Sequence, residues 1–133
     1  SEKLATVRMR FGFHSHACEH TLLDGGSYGW KLFCDGTPDS VITQLDLGNC
    51  MNGGFDPIDE YEKCAKRAVT VHFKPFSKTT GYESYIGTDD IDWNKAVKLA
   101  QDSGVCEYII VEYEKQDDFA GVKICAEAMK KLL

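Results

Sequence analysis

Three consecutive stretches decide the fold of this chain: Val41-Ile42-Thr43-Gln44-Leu45-Asp46-Leu47, then Asp56-Pro57-Ile58-Asp59-Glu60-Tyr61-Glu62-Lys63-Cys64-Ala65, then Val69-Thr70-Val71-His72-Phe73. The first and last are short apolar runs carrying β-branched residues, which read as strands. In the middle stretch Asp56 is a helix N-cap followed by proline at the first helical position, and Ile58, Tyr61, Cys64, Ala65 and Ala68 share one helical face. A strand, a helix and a strand joined over this length make a right-handed parallel crossover.

The same unit recurs on both sides. Strands are predicted over 7–13, 41–47, 69–73 and 108–113. Asp92 caps a helix over Trp93 to Ser103 that turns Trp93, Ala96, Val97 and Ala100 inward and stops at Gly104. A last helix, from about Asp118 to Leu132, puts Val122, Cys125, Ala126, Met129 and Leu132 on one stripe. After the first strand, Leu22-Leu23 and a Gly25-Gly26 turn lead to a short helix over Tyr28 to Cys34. The resulting order is four βα units, an α/β architecture that is either a doubly wound sheet or part of a (β/α) barrel.

Strand alternation separates these two possibilities. Val7, Met9, Phe11 and Phe13 face one way; Arg8, Arg10, Gly12, His14 and then His16 face the other. Likewise Val41, Thr43 and Leu45 oppose Ile42, Gln44 and Asp46, and Val71 and Phe73 oppose Thr70, His72 and Lys74. In the fourth strand Ile109, Val111 and Tyr113 oppose Ile110, Glu112 and Glu114. One apolar face and one face that turns polar toward the C-terminal end suit a barrel wall, whereas a doubly wound sheet needs both faces apolar. The polar ends gather His14, His16, Asp46, His72, Lys74, Glu112 and Glu114 at one rim. Imidazoles and carboxylates from neighbouring strands suit a divalent metal, Mn²⁺, Zn²⁺, Mg²⁺ or Co²⁺. The plainer reading is four strand ends facing water.

Composition narrows the partners. Among 133 residues, 21 are acidic and 15 basic, a net charge of −6 that disfavours nucleic acid and anionic membrane. No apolar run reaches the roughly 18 residues of a spanning helix, and no signal-peptide pattern opens the chain. The six cysteines include no C-x-x-C pair, and they read as reduced thiols of a cytoplasmic protein. A chain that opens on Ser1 reads as processed, tagged or cut from something longer.

Five motifs in order resemble the second half of the sugar phosphate isomerase/epimerase family, metal-dependent TIM barrels of the xylose isomerase-like superfamily. They are Phe13-His14-Ser15-His16-Ala17-Cys18-Glu19 with Leu23-Asp24-Gly25; Thr43-Gln44-Leu45-Asp46-Leu47-Gly48 with Gly54-Phe55-Asp56-Pro57; Val71-His72-Phe73-Lys74, where Pro75 replaces the family's Asp; Gly87-Thr88-Asp89-Asp90-Ile91-Asp92-Trp93, without the second glycine; and Tyr108-Ile109-Ile110-Val111-Glu112. The resemblance implies Asp46, His72 and Glu112 as metal ligands. Many relatives carry a glutamate where this first strand ends in histidines, so His14 is the first choice for a fourth ligand and His16 the second. Glu19 matches a family glutamate beyond that strand, either a substrate contact or a solvated loop carboxylate.

The resemblance further implies chemistry on a sugar or sugar phosphate. A metal-chelated ketose carbonyl acidifies the neighbouring C–H and leads to an enediolate. Glu112 is the candidate base that also binds metal, with His14 or His16 as its partner and Glu19 behind. Return of the proton to the neighbouring carbon isomerises; return to the opposite face epimerises. The histidine replacement leaves room for keto-sugar lyase or dehydratase chemistry. Lys74 is either a ligand for phosphate or a substrate hydroxyl, or an ion-paired lysine. Phe13, Trp30, Phe73 and Tyr113 read as packing residues. The related apurinic endonucleases need more ligands and a basic surface than this chain has. A non-catalytic half-barrel subunit is the other class. A TIM barrel takes about 250 residues, so the chain reads as one half-barrel domain over 1–133, closed by a second copy or by the missing half.

Overall fold

A computed structural model describes residues 2–115 and 119–133. A short helix α1 (Glu2–Ala5) precedes β1 (Phe11–His14), followed by a 3₁₀ turn (Ala17–His20), α2 (Gly29–Gly36), β2 (Val41–Gln44), α3 (Leu47–Asn52), α4 (Pro57–Cys64), a second 3₁₀ turn (Ala65–Arg67), β3 (Thr70–Phe73), α5 (Trp93–Ser103), β4 (Tyr108–Val111) and α6 (Ala120–Met129). All pairing among these strands is parallel. β1 runs beside β2 with Phe11 opposite Val41 and His14 opposite Gln44, and β3 beside β4 with Thr70 opposite Tyr108 and Phe73 opposite Val111. A parallel bridge between Asp46 and His72, with His72 N–H donating to Leu45 O at 2.9 Å, joins the two pairs in the order 1-2-3-4.

The core lies between the strands and their helices. Leu45, Val71 and Phe73 are fully buried against Tyr61, Cys64, Ala68, Trp93, Ala96, Val97 and Ala100. Phe73 and Trp93 pack ring on ring at 5.1 Å. The opposite face of the sheet is only half covered. Gly12, Phe13, His14, Ile42, Gln44 and Thr70 line a hollow of about 280 Å³ there. At the lower end of that face the Arg10 guanidinium reaches across to Glu107 with two hydrogen bonds of 2.6 and 2.7 Å, linking the lead-ins of β1 and β4. Among the described residues, no helix is long and apolar enough to cross a membrane.

Every expected strand exists, and each is shorter than its apolar run. The first does not begin at Val7. Residues 6–9 close α1 instead: Arg8 takes a left-handed backbone (φ 59°), its N–H bonds to Ala5 O, and Met9 N–H returns to Leu4 O. That arrangement satisfies the helix's last carbonyls and takes the N–H groups a strand would need. Val7 and Met9 are accordingly exposed, and Phe11 and Phe13 are covered only in part. The second strand stops at Gln44, not Leu47, because the Asp46 side chain accepts from Asn49 N–H and starts α3. The fourth stops at Val111, although Glu112 N–H still bonds to Phe73 O at 3.3 Å.

The two capped helices begin where their sequence places them. Asp56 accepts from Ile58 and Asp59 N–H, and Asp92 from Lys95 N–H. Gly104 ends α5 in the left-handed conformation (φ 70°). The helix between β1 and β2 runs over Gly29–Gly36, where Tyr28 to Cys34 is the expectation, because Tyr28 is extended and serves as its N-cap. α6 covers Ala120–Met129, and its expected start at Asp118 lies outside the described residues.

Candidate metal centre

Four side chains from the ends of four successive strands meet at one rim: His14, Asp46, His72 and Glu112 offer ligand atoms that all lie within 4.8 Å of one another. His14 closes β1, Asp46 follows β2, His72 lies in β3 and Glu112 follows β4. The polar face of each strand points to the same side, so the alternation that buries Leu45, Val71 and Phe73 behind the sheet brings these donors together in front of it.

Asp46 is the most constrained of them. It is fully buried, its N–H donates to Ser15 Oγ at 3.0 Å, and its Oδ1 accepts from Asn49 N–H at 2.8 Å. Oδ2 has no hydrogen-bond partner and stands 3.8 Å from His14 Nε2. Burial pushes its carboxyl up to about 7, against the opposing effect of the Asn49 bond. The His14 ring lies 4.3 Å from that of His72, and its Nδ1 is also buried without a partner. Burial, then the neighbouring His72, lowers the proton affinity of His14.

Glu112 divides its two oxygens. Oε2 is hydrogen-bonded to His72 Nδ1, and Oε1 accepts from Lys74 Nζ at 2.9 Å. The His72 bond first, and the Lys74 ammonium after it, hold this carboxyl well below the usual carboxylate range despite its burial. Lys74 is itself buried, bonded also to Glu114 Oε2 at 2.6 Å, and its Nζ sits 4.9 Å from the centroid of the Tyr82 ring. Burial opposes its charge, but the two carboxylates outweigh that and raise its proton affinity.

His16 and Glu19 stand at the edge of this group. His16 is exposed and meets His14 edge-on at 4.9 Å between ring centroids. Glu19 accepts the His16 backbone N–H at 2.6 Å and the Cys18 thiol at 3.1 Å, and lies 3.6 Å from His16 Nδ1. Burial alone would raise its proton affinity; those two hydrogen bonds more than offset it. Trp30, Phe73 and Tyr113 are buried packing residues, whereas Phe13 stays partly exposed against Phe33 at 5.1 Å.

The donors fit a divalent ion. Bonds of about 2.0–2.2 Å to nitrogen or oxygen put tetrahedral donors about 3.4 Å apart, so atoms that all lie within 4.8 Å of one another can close on one ion by side-chain movements of about an ångström. Asp46 Oδ2, buried without a partner in the protein and 3.8 Å from His14 Nε2, is the kind of lone-pair donor that a cation site presents to its ion. Two imidazoles and two carboxylates match Mn²⁺, Zn²⁺, Mg²⁺ or Co²⁺. Sequence reasoning misses the supporting layer of Ser15, Asn49 and Tyr82. Asn49 is readable as the residue three beyond a capping Asp46; Tyr82 sits in an irregular connection with no periodicity to mark it.

This parallel α/β wall is shared by solved structures that include two sugar phosphate isomerase/epimerase proteins and a probable dehydratase. One from Parabacteroides distasonis ATCC 8503 superposes with a TM-score of 0.80 at 22% identity over 97% of this chain and 47% of its own. A second from the same organism gives 0.74 at 24% identity over 91% and 45%. The probable 3-DHS dehydratase AsbF of Bacillus anthracis, involved in petrobactin synthesis, gives 0.65 at 14% identity over 98% and 52%. At these identities the likeness establishes the fold, and the chain spans about half the length of the structures it matches. No protein-family model and no curated protein matches the chain.

Proposed function

We propose that this chain forms four βα units of a (β/α)₈ barrel and acts in metal-dependent isomerisation or epimerisation of a keto-sugar or sugar phosphate. One observation carries the reading: four donors from the ends of four consecutive strands converge, with Asp46 Oδ2 buried and unpartnered. His14, Asp46, His72 and Glu112 would hold the divalent ion, which when bound polarises a chelated carbonyl and acidifies the C–H beside it.

The remaining roles follow from what each residue is free to do. Glu112, bonded once on each oxygen, would bind the ion and accept the proton through its remaining lone pairs. His16, exposed beside His14, is the freer proton carrier at the mouth. Glu19 fixes the His16 backbone and lies near its Nδ1. Lys74 neutralises the outer oxygen of Glu112, and it would reach a substrate hydroxyl or phosphate only by releasing Glu112 or Glu114. A second reading, lyase or dehydratase chemistry at the same site, draws support from the dehydratase among the structural neighbours. The chain's half share of its neighbours and the half-covered inner face favour closure by a second copy or by the remaining barrel half.

Elemental analysis tests the metal-dependent reading. The purified chain is expected to carry about one divalent ion, and His72→Ala is expected to abolish its uptake. No stoichiometric metal in the wild type, or uptake unchanged in His72→Ala, refutes it. Light scattering tests the closure: a mass of two chains supports a barrel closed by a second copy, and a stable soluble monomer counts against it.

A further inference from the structure

We infer that Tyr82, in the connection between β3 and α5, is a positioning residue for both the Asp46 donor and the Lys74 ammonium; the inference rests on the metal-centre reading above. Its hydroxyl donates to Asn49 Oδ1 at 2.7 Å and accepts from Asn52 Nδ2 at 3.1 Å. Asn49 is the residue whose backbone N–H fixes Asp46 Oδ1 at 2.8 Å, and its Nδ2 donates to Ser15 O at 3.1 Å. Ser15 Oγ in turn accepts the Asp46 N–H. The phenol therefore ends a continuous chain of direct hydrogen bonds that starts at the buried carboxylate.

The ring does a second job. Lys74 Nζ stands 4.9 Å from its centroid, within cation–π range, and that same ammonium holds Glu112 Oε1. Phe76 packs edge-on at 5.0 Å and keeps the ring from turning. Two of the four donors are thus oriented through one side chain, Asp46 through its hydroxyl and Glu112 through its ring. Groups that fix a ligand's orientation from behind commonly account for about 10–100-fold in metal affinity. Losing the hydroxyl leaves Asn49 Oδ1 without its donor and frees the amide that pins α3 to Ser15.

Co²⁺ titration of the 133-residue chain tests this, read by equilibrium dialysis and by the visible d–d band. Tyr82→Phe is expected to weaken Co²⁺ binding about tenfold and to alter the band, with the metal-free chain still fully folded at the temperature of the titration although its thermal midpoint falls with the loss of the Asn49 bond. Tyr82→Leu, which also removes the ring from Lys74, is expected to weaken it further. Asn52→Ala deletes the other partner of the hydroxyl without touching the Asp46 chain, and is expected to leave affinity at the wild-type value. Tyr82→Phe binding as the wild type does overturns the inference, and so does a loss of binding that merely tracks a loss of folded chain. A wild type that takes up no Co²⁺ refutes the metal centre itself, and the inference with it.

Discussion

Acidification singles out His20, a residue away from the metal centre whose surroundings leave no place for a proton. It is fully buried between Trp30 and Phe55, with ring centroids 5.7 and 6.1 Å away, and neither ring nitrogen has a hydrogen-bond partner. Gly53 closes the remaining side: a Cβ there would fall 2.4 Å from His20 Cβ. Burial lowers its proton affinity from 6.5 to about 4, with Glu60 and Glu19 too weak to restore it. Below pH 6.5 the unfolded chain therefore takes up a proton that the folded chain refuses until about pH 4. The folded state loses stability across that window and regains it as pH rises. At about 1.4 kcal/mol for each pH unit between the two values, the loss amounts to about 3 kcal/mol. Other groups titrate in the same range, so the measurement is a difference. Urea unfolding followed by tryptophan fluorescence at about pH 7, 6, 5 and 4 is compared for wild type and His20→Leu, which fills the site without a titratable nitrogen. The wild type is expected to lose about 3 kcal/mol more than the variant between the ends of that series. Parallel pH profiles, or a His20 ring proton that titrates near 6.5 by NMR, would refute the reasoning.

Two further outcomes concern the rim itself. Gly48 lies two residues past Asp46, and a Cβ there would meet Lys74 O at 2.6 Å, a backbone atom that cannot step aside; Gly48→Ala is expected to cost about 1–3 kcal/mol in thermal or urea unfolding and to weaken metal uptake by shifting β3 against α3. Asp46→Asn keeps the cap on Asn49 N–H but removes a buried carboxylate whose Oδ2 has no partner; in chelator at about pH 8 it is expected to raise the unfolding midpoint while abolishing metal binding, because the buried charge is costly until a cation offsets it. A metal-free variant less stable than the wild type would contradict that account.

Much of this arrangement is legible in the sequence, for reasons that differ from residue to residue. Asp56-Pro57 and Asp92 name their helices outright, because a capping side chain acts on N–H groups two or three residues away. The convergence of His14, Asp46, His72 and Glu112 is legible because strand side chains alternate, and a parallel wall turns that alternation into a shared rim. Strand ends are not. Val7 and Met9 have strand-forming side chains, but the chain reversal at Arg8 commits their backbone to α1, and nothing in their hydropathy records it. Asp46 carries the opposite lesson: the residue read as part of a strand is also a cap, and its second function is what ends the strand. Tyr82 escapes because its contacts, to Asn49, Asn52 and Lys74, join segments that no periodicity connects.

The guanidinium–carboxylate fork between Arg10 and Glu107 gives the wall a second clasp. Among the described residues, the outer strands pair with neighbours along their inner edges alone, so the bend of the array is a soft coordinate, fixed by whatever ties its two ends. At the upper end the tie is the half-buried donor cluster; at the lower end it is an exposed ion pair. Those two ties answer to different variables. Dissolved salt screens the lower one, and a cation held by the four donors would tighten the upper one, so the arch is expected to relax at its foot in concentrated electrolyte and to draw in at its crown if the centre fills.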